Sequence, residues 1–366
     1  MNNFSKANEF FLSANTTVGF YSLYDNLYYP KNGWFCYILK GGPGTGKSTL
    51  MKKIAKKALE KGEKTEIIWC SSDPNSLDAV ILPNLKKAIV DGTAPHTMDP
   101  VFPGVSDTVI NLCDCWHEKI LKDAGHEITT LSEKNSELHK KSQNYLKAYK
   151  IIDSQNKMIF KNSIDFKSLN EYCETLTEKI LKEKSLVGSG KKSLRFITSI
   201  TPKGILTLDK TFDLKSSKIF VITDDYALVG SYILKIIKEK ANYLKYDTIS
   251  CPSPFDPQHE LEALFIPELD TSLVIKSSKN YKRFIENSKC ECKKISLKKF
   301  INTETTDKHK NLLKFNNRIC DEFLNEGIKY LENALSIHDE IEKYYISAMD
   351  YSKINKIADK LISAIL

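Results

Sequence analysis

The chain has 366 residues, of which 41% are hydrophobic and 27% charged, and a net formal charge of +8. That length leaves room for about two domains, and the balance is that of a globular protein rather than a disordered or fibrous one. No run approaches ~18 uninterrupted apolar residues; the best candidate, Lys218 to Ile237, carries Asp224 and Asp225 in its middle, so no membrane span is expected.

The opening stretch, MNNFSKANEFFLSANTT, does not place a basic segment ahead of an apolar one, so no secretory signal is expected. The nine cysteines are scattered and odd in number, which points to a reducing cytoplasm rather than a disulfide framework. Residues 34–39 are compact and apolar, the pattern of a buried parallel strand. A helix follows over 48–60, stopped at Gly62. A second strand is expected at 66–70, then a short helix, then a third strand at 88–90 ending in Asp91. This alternation predicts an α/β fold with parallel sheets.

Between the first strand and the helix lie Gly41, Gly42, Pro43, Gly44, Thr45, Gly46, Lys47 and Ser48, a full match to GxxxxGK[ST] in the setting that pattern requires. Glycines let the backbone wrap an anion, and the exposed N–H groups with the helix N-terminus face it. In this reading Lys47 reaches the β- and γ-phosphates of ATP, Ser48 holds Mg²⁺, and Thr49 is placed against the α-phosphate. Asp91 is the candidate acidic partner of the metal. Asp73 is its rival, read as a turn residue, and His96 is a weaker candidate for orienting water.

Beyond Gly104 the chain lacks proline up to Thr201, and again from Glu268 to Leu366. Apolar residues at Leu121, Ala124, Ile128, Leu131, Leu138, Tyr145, Tyr149 and Ile152, and at Leu331, Leu335, Ile341, Tyr345 and Ala348, predict long helices with a buried stripe, in a hairpin or coiled coil. The polar breaks at Asn135 and Ser142 weaken a simple coiled coil. Cys113, Cys115 and His117 do not have the usual zinc spacing and are read as ordinary thiols, like Cys290 and Cys292.

The regions ahead of the two helical arms resemble each other. YILKGGPGTGKSTLMKKIAKKA at 37–58 aligns with FVITDDYALVGSYILKIIKEKA at 220–241, and Cys70 is set against Cys251. A tandem duplication is inferred, with its boundary near Gly188 to Lys192. The domains are then 1–190, with an arm over about 105–187, and 191–366, with an arm over about 296–366. In the second copy Gly230 replaces the lysine, Asp224 and Asp225 oppose phosphate, and Ile275 replaces Asp91, so one working site per chain is expected. Any arginine finger must come from the second half, where all three arginines lie. Arg195 is the candidate, and Arg283 and Arg318 are alternatives.

The residues at 37–50 (YILKGGPGTGKSTL), 70–78 (CSSDPNSLD), 90–96 (VDGTAPH) and 201–204 (TPKG) make the chain resemble a bacterial family of tandem P-loop proteins, mostly from Firmicutes, generally described as ATPases or ATP-binding proteins. The resemblance covers essentially the whole chain and implies nucleotide binding without specifying a reaction. In that family the second copy often keeps its own P-loop, and this sequence departs from that. Three functions are open: an Mg-dependent ATPase that moves its arms or a protein partner, a nucleotide or small-molecule kinase, and a module for which ATP is a regulatory ligand. Nucleic acid is not expected, because Glu286 and Glu291 interrupt the lysines between Lys276 and Lys299.

Overall fold

The computed structural model describes residues 4–27, 32–94, 97–181 and 190–366. His96 and Gly188 lie outside the described residues. The first half contains β1 (Asn8–Phe10), β2 (Ser13–Thr16), β3 (Gly19–Ser22), β4 (Phe35–Lys40), α1 (Lys47–Glu60), β5 (Glu66–Trp69), β6 (Leu77–Leu82), β7 (Lys87–Asp91), β8 (Asp107–Asn111), α2 (Glu118–Asp123), α3 (Gly125–Lys161) and α4 (Phe166–Ile180). The second contains β9 (Lys192–Leu194), β10 (Thr198–Thr201), β11 (Gly204–Thr207), α5 (Lys210–Lys215), β12 (Lys218–Thr223), α6 (Leu228–Tyr243), β13 (Thr248–Pro252), β14 (Leu261–Ile266), β15 (Thr271–Lys276), α7 (Ser278–Asn287), β16 (Glu291–Ser296), α8 (Thr303–Lys308), α9 (Lys310–Ala348) and α10 (Tyr351–Ile365).

The protein is a mixed α/β structure with one six-stranded sheet in each half. The first has the order β1-β5-β6-β7-β4-β8, and the second, read from its other edge, β9-β13-β14-β15-β12-β16. Strand directions match as well as order. β6 and β14 run antiparallel to both neighbours, and every other pairing in the two sheets is parallel.

The sheets are therefore mixed, not parallel as predicted, because the short helix expected before β7 is strand β6. Its Leu-Asp-Ala-Val-Ile-Leu run is buried at all six positions. A tight turn returns the chain, with Lys86 donating its N–H to the Pro83 carbonyl at 3.2 Å and adopting φ 51°. Asp270 makes the corresponding turn with Pro267, at φ 47°. The register also corrects the cysteine alignment. Cys251 stands opposite Ala263 as Ile68 stands opposite Ala79, so Cys251 corresponds to Ile68 rather than Cys70.

A third sheet, β11-β10-β2-β3, joins a hairpin from each half. One core continues through this junction. Phe10 packs edge-on against Phe265, with ring centroids 5.9 Å apart, and Phe265 stacks on Phe212.

The arms cross between the halves. α3 and α9 pack antiparallel along their length: Asn135 Nδ2 donates to the Ala334 carbonyl at 3.2 Å, Ser142 Oγ to the Gly327 carbonyl at 2.8 Å, and Asn316 Nδ2 to Asn156 Oδ1 at 2.9 Å. The polar breaks that weakened the coiled-coil reading are thus the contacts that set the crossing. After α3 the chain docks α4 on α6, where Leu169, Cys173, Leu176 and Ile180 join the core of the second half. After α9 it docks α10 on the first half, where Ala358, Leu361 and Ile365 are buried. Asp165 and Asp350 cap these final helices, each accepting two backbone N–H groups.

A Cβ on Gly327 would stand 3.1 Å from Leu146 Cδ2. Replacing Gly327 with leucine is expected to cost about 1–3 kcal/mol by overpacking the crossing. Denaturant unfolding of Gly327→Leu against an exposed control such as Glu332→Leu checks this.

Candidate functional site

The sequence motif lies at the C-terminal edge of the first sheet, between β4 and α1. Gly44 and Gly46 hold φ of 69° and 86°, a region that favours glycine. Thr45 is buried and its hydroxyl donates to the Gly42 carbonyl at 2.8 Å. Pro43 is half-buried and Thr49 is exposed on the first turn of α1.

Lys47 is buried, and its Nζ donates to the carbonyls of Gly41 and Gly42, each at 2.7 Å. It also lies 3.5 Å from Asp91 Oδ2. Parallel pairing of β4 with β7 puts Asp91 beside Leu39, two residues ahead of Gly41. The other Asp91 oxygen accepts the Thr93 N–H at 2.9 Å, and Thr93 Oγ1 donates to the Gly41 carbonyl. Asp91 is therefore both a turn residue and the carboxylate facing Lys47. Ser48 Oγ accepts the Leu77 N–H at 3.0 Å, tying α1 to the start of β6. Asp73 closes its own turn by accepting from the Asn75 N–H and the Ser76 hydroxyl.

Sequence reasoning missed the far end of α9. Glu342 Oε1 accepts the Gly44 N–H at 3.1 Å. A Cβ on Gly42 would stand 2.5 Å from the Tyr345 ring, and one on Gly44 2.9 Å from the Glu342 carbonyl oxygen. Glycine is thus required here by an arm nearly 300 residues away as well as by the loop's own dihedrals. His338, 3.5 Å from Glu342, together with the Gly44 N–H and Lys47, holds the Glu342 carboxyl below its usual range against the upward push of burial. The only signal in the sequence was that Glu342 lies between Ile341 and Tyr345 of the predicted stripe.

The α9–α10 corner is fixed by main chain. His117 donates its N–H to the Ala348 carbonyl at 2.8 Å, and Asp350 donates to the Cys115 carbonyl at 2.7 Å. Cys115 is buried against Leu112, Met349 and Ile354. The Cys-Asp-Cys-Trp-His segment thus serves as a docking strip. Among the described residues no three His, Cys, Asp or Glu side chains gather as a metal site.

The matching loop of the second half is built differently. Ala227, at φ 57°, corresponds to Gly44, but α6 starts at Leu228, two positions earlier than α1 would imply. Asp224 fills the loop from within, accepting the N–H groups of Gly230 at 2.8 Å and Tyr226 at 3.0 Å. Burial raises its pKa, against the pull of these donors. A Cβ on Gly230 would meet Ile275 at 2.8 Å, so an apolar contact stands where the first half has Lys47 facing Asp91. Ser231 Oγ accepts the Leu261 N–H at 2.9 Å, as Ser48 does from Leu77.

Arg195 is not brought to Lys47, which corrects the arginine-finger expectation. It is buried at the start of β5, the opposite edge of the sheet from the loop, with Nε 2.6 Å from Glu66 Oε1 and Nη1 donating to the Asn26 carbonyl. Arg283 and Arg318 are exposed on α7 and α9.

Burial pushes the Glu66 carboxyl up, but Arg195 and Lys215 outweigh it and hold its pKa below the ordinary carboxylate value. The stability this contributes is complete above the unfolded value and is lost as pH falls through the lowered folded one. Arg195→Met is expected to lose about 3–5 kcal/mol at neutral pH, with a smaller deficit in acid where Glu66 protonates. Unfolding curves at several pH values measure it. Asp224→Ala, which orphans two backbone donors, is expected to lose roughly 1–3 kcal/mol per donor and to leave nucleotide affinity unchanged, as read by unfolding and by titration calorimetry.

Set against protein-family models, curated proteins and solved structures, the chain matches none.

Proposed function

We propose that the chain is an Mg-dependent ATPase with one nucleotide site, at Gly41 to Ser48, whose nucleotide state is read by the crossed helical arms. The carrying observation is the glycine loop between β4 and α1, with the Lys47 ammonium facing Asp91 from the adjacent strand. The backbone donors of the loop fit an anion, since Gly44 already binds a carboxylate oxygen. Ser48 and Asp91 supply the oxygen ligands that a magnesium ion bound with the phosphates would take, and Lys47 would neutralise phosphate charge.

The shared topology and the matched loops support descent of the two halves from one duplicated P-loop unit. The second loop carries its own carboxylate and lacks a lysine, so it is read as a scaffold without nucleotide. The cysteines are all free thiols, which fits a reducing compartment. No helix among the described residues is long and apolar enough to cross a membrane.

Calorimetric titration with Mg·ATP is expected to give one site per chain. Lys47→Ala should weaken binding about 10- to 100-fold, and Asp91→Asn should remove the magnesium-dependent phosphate release. Two bound nucleotides, or unchanged affinity in Lys47→Ala, overturns the one-site reading. Phosphate release only when a nucleoside monophosphate or other acceptor is added assigns phosphoryl transfer instead of hydrolysis.

A further inference from the structure

The Glu342 contact ties the proposed site to the end of α9. A loop of this kind presents backbone N–H groups that must meet an anion or water. In the second half the anion is Asp224, part of the loop itself and buried. In the first half the loop has Gly41 at the matching position, and the carboxylate arrives on α9 from the other half of the molecule. Both loops are satisfied by a carboxylate. One is built into the loop, and the other is carried on α9.

We infer that Glu342 is an internal stand-in for a phosphate group, and that ATP binds by displacing it and freeing the end of α9 from the loop. The inference rests on the nucleotide reading of Gly41 to Ser48. Three features make displacement a movement of the arm rather than of one side chain. The α9 main chain lies against the loop, with the Glu342 carbonyl 2.9 Å from where a Cβ on Gly44 would be. Tyr345 covers Gly42 and packs on Trp116 at 5.7 Å. Ile354 of α10 lies close to the loop, 3.8 Å from where a Cβ on Gly46 would be. Phosphate charge drawn to Lys47 would also repel Glu342 and the neighbouring Asp339. Asp339 already feels Glu342 and Asp73, and burial first, then these carboxylates, raise its pKa. The corner beyond is held to Cys115 and His117 by two main-chain hydrogen bonds, the one from His117 to the Ala348 carbonyl at the last residue of α9, so displacement must pivot the Glu342 turn about this anchor while α10 keeps its apolar seat.

Displacement makes apparent affinity depend on the fraction of molecules with the loop open. Removing the carboxylate should therefore tighten ATP binding, which is the opposite of removing a ligand contact. The test measures Mg·ATP affinity of the wild type, Glu342→Gln, Glu342→Ala and Glu342→Ala with Lys47→Ala, together with hydrogen exchange of α9 and α10 with and without Mg·ATP. The two Glu342 variants are expected to bind roughly tenfold tighter than the wild type. The added Lys47→Ala should abolish that gain. In the wild type, ATP should speed exchange over residues 337–348 while the middle of α9 around Gly327 stays protected. Equal or weaker ATP binding in both Glu342 variants, still dependent on Lys47, overturns the displacement and leaves the nucleotide site standing. Faster exchange in neither helix likewise overturns it. Binding that ignores Lys47 in every variant overturns the nucleotide reading and the displacement with it.

Discussion

Ser142 and Gly327 meet near the middle of two antiparallel helices of 37 and 39 residues, where the serine hydroxyl reaches the glycine carbonyl and Leu146 fills the space a side chain would need. Helices of that length extend about 55 Å, so fixing their crossing fixes what their ends touch. Each end lands on the opposite half. α3 carries Phe160 onto Tyr226 at the second loop, and α9 carries Glu342 and Tyr345 onto the first. α4 and α10 then bury their apolar faces on the half to which the arm delivered them. A sequence boundary near residue 190 consequently does not separate two bodies in space. The final helix of each half belongs to the core of the other.

The two loops are alternative solutions to one requirement. The start of a helix preceded by a tight turn leaves backbone N–H groups without partners. An anion at that point gains from both hydrogen bonds and the aligned dipoles. Asp224 meets the need permanently, at the cost of burying a carboxyl whose pKa rises in consequence. The first loop contains no acid of its own, keeps two glycines at positive φ and places Lys47 behind them, and the carboxylate it meets comes from α9. Where the first half sets Lys47 against Asp91, the second sets Gly230 against Ile275: an ion pair stands in one loop and an apolar contact in the other.

Much of this was legible in local sequence, because the governing forces were local. The apolar run ahead of Gly41, the spacing of the glycines and most of the stripe on α9 follow from backbone geometry and helix periodicity, but the stripe expected on the first arm does not hold. Leu121, Ala124, Ile128, Leu131, Leu138, Tyr145, Tyr149 and Ile152 are only half-buried, and α3 buries Ser142, Leu146 and Asn156 instead. The sheet order was not legible. Ala79 to Leu82 satisfies either a buried helix turn or a strand, and only the return at Pro83 and Lys86 selects the antiparallel strand. Arg195 was misplaced for a related reason. Nearness to a boundary in the chain says nothing about which edge of a sheet a residue occupies, and Glu66 holds it at the wrong one. Asn135 and Ser142 looked like defects in an apolar stripe, yet their partners are main-chain carbonyls that no side-chain pattern records.

Glu342 was beyond reach for a deeper reason. An acidic residue on a half-exposed helix position is ordinary, and nothing in 338–346 indicates an anion site on another element. Its meaning comes only from the crossing, which brings a residue 298 positions away to the Gly44 N–H. Asp224 is confined to its own loop, where it accepts the N–H groups of Tyr226 and Gly230. Glu342, carried on a helix packed against α3, ties the first loop to the junction between the halves through the Gly44 N–H. The two loops thus differ in the element that supplies the negative charge: Asp224 lies within its own loop, and Glu342 reaches Gly44 from α9.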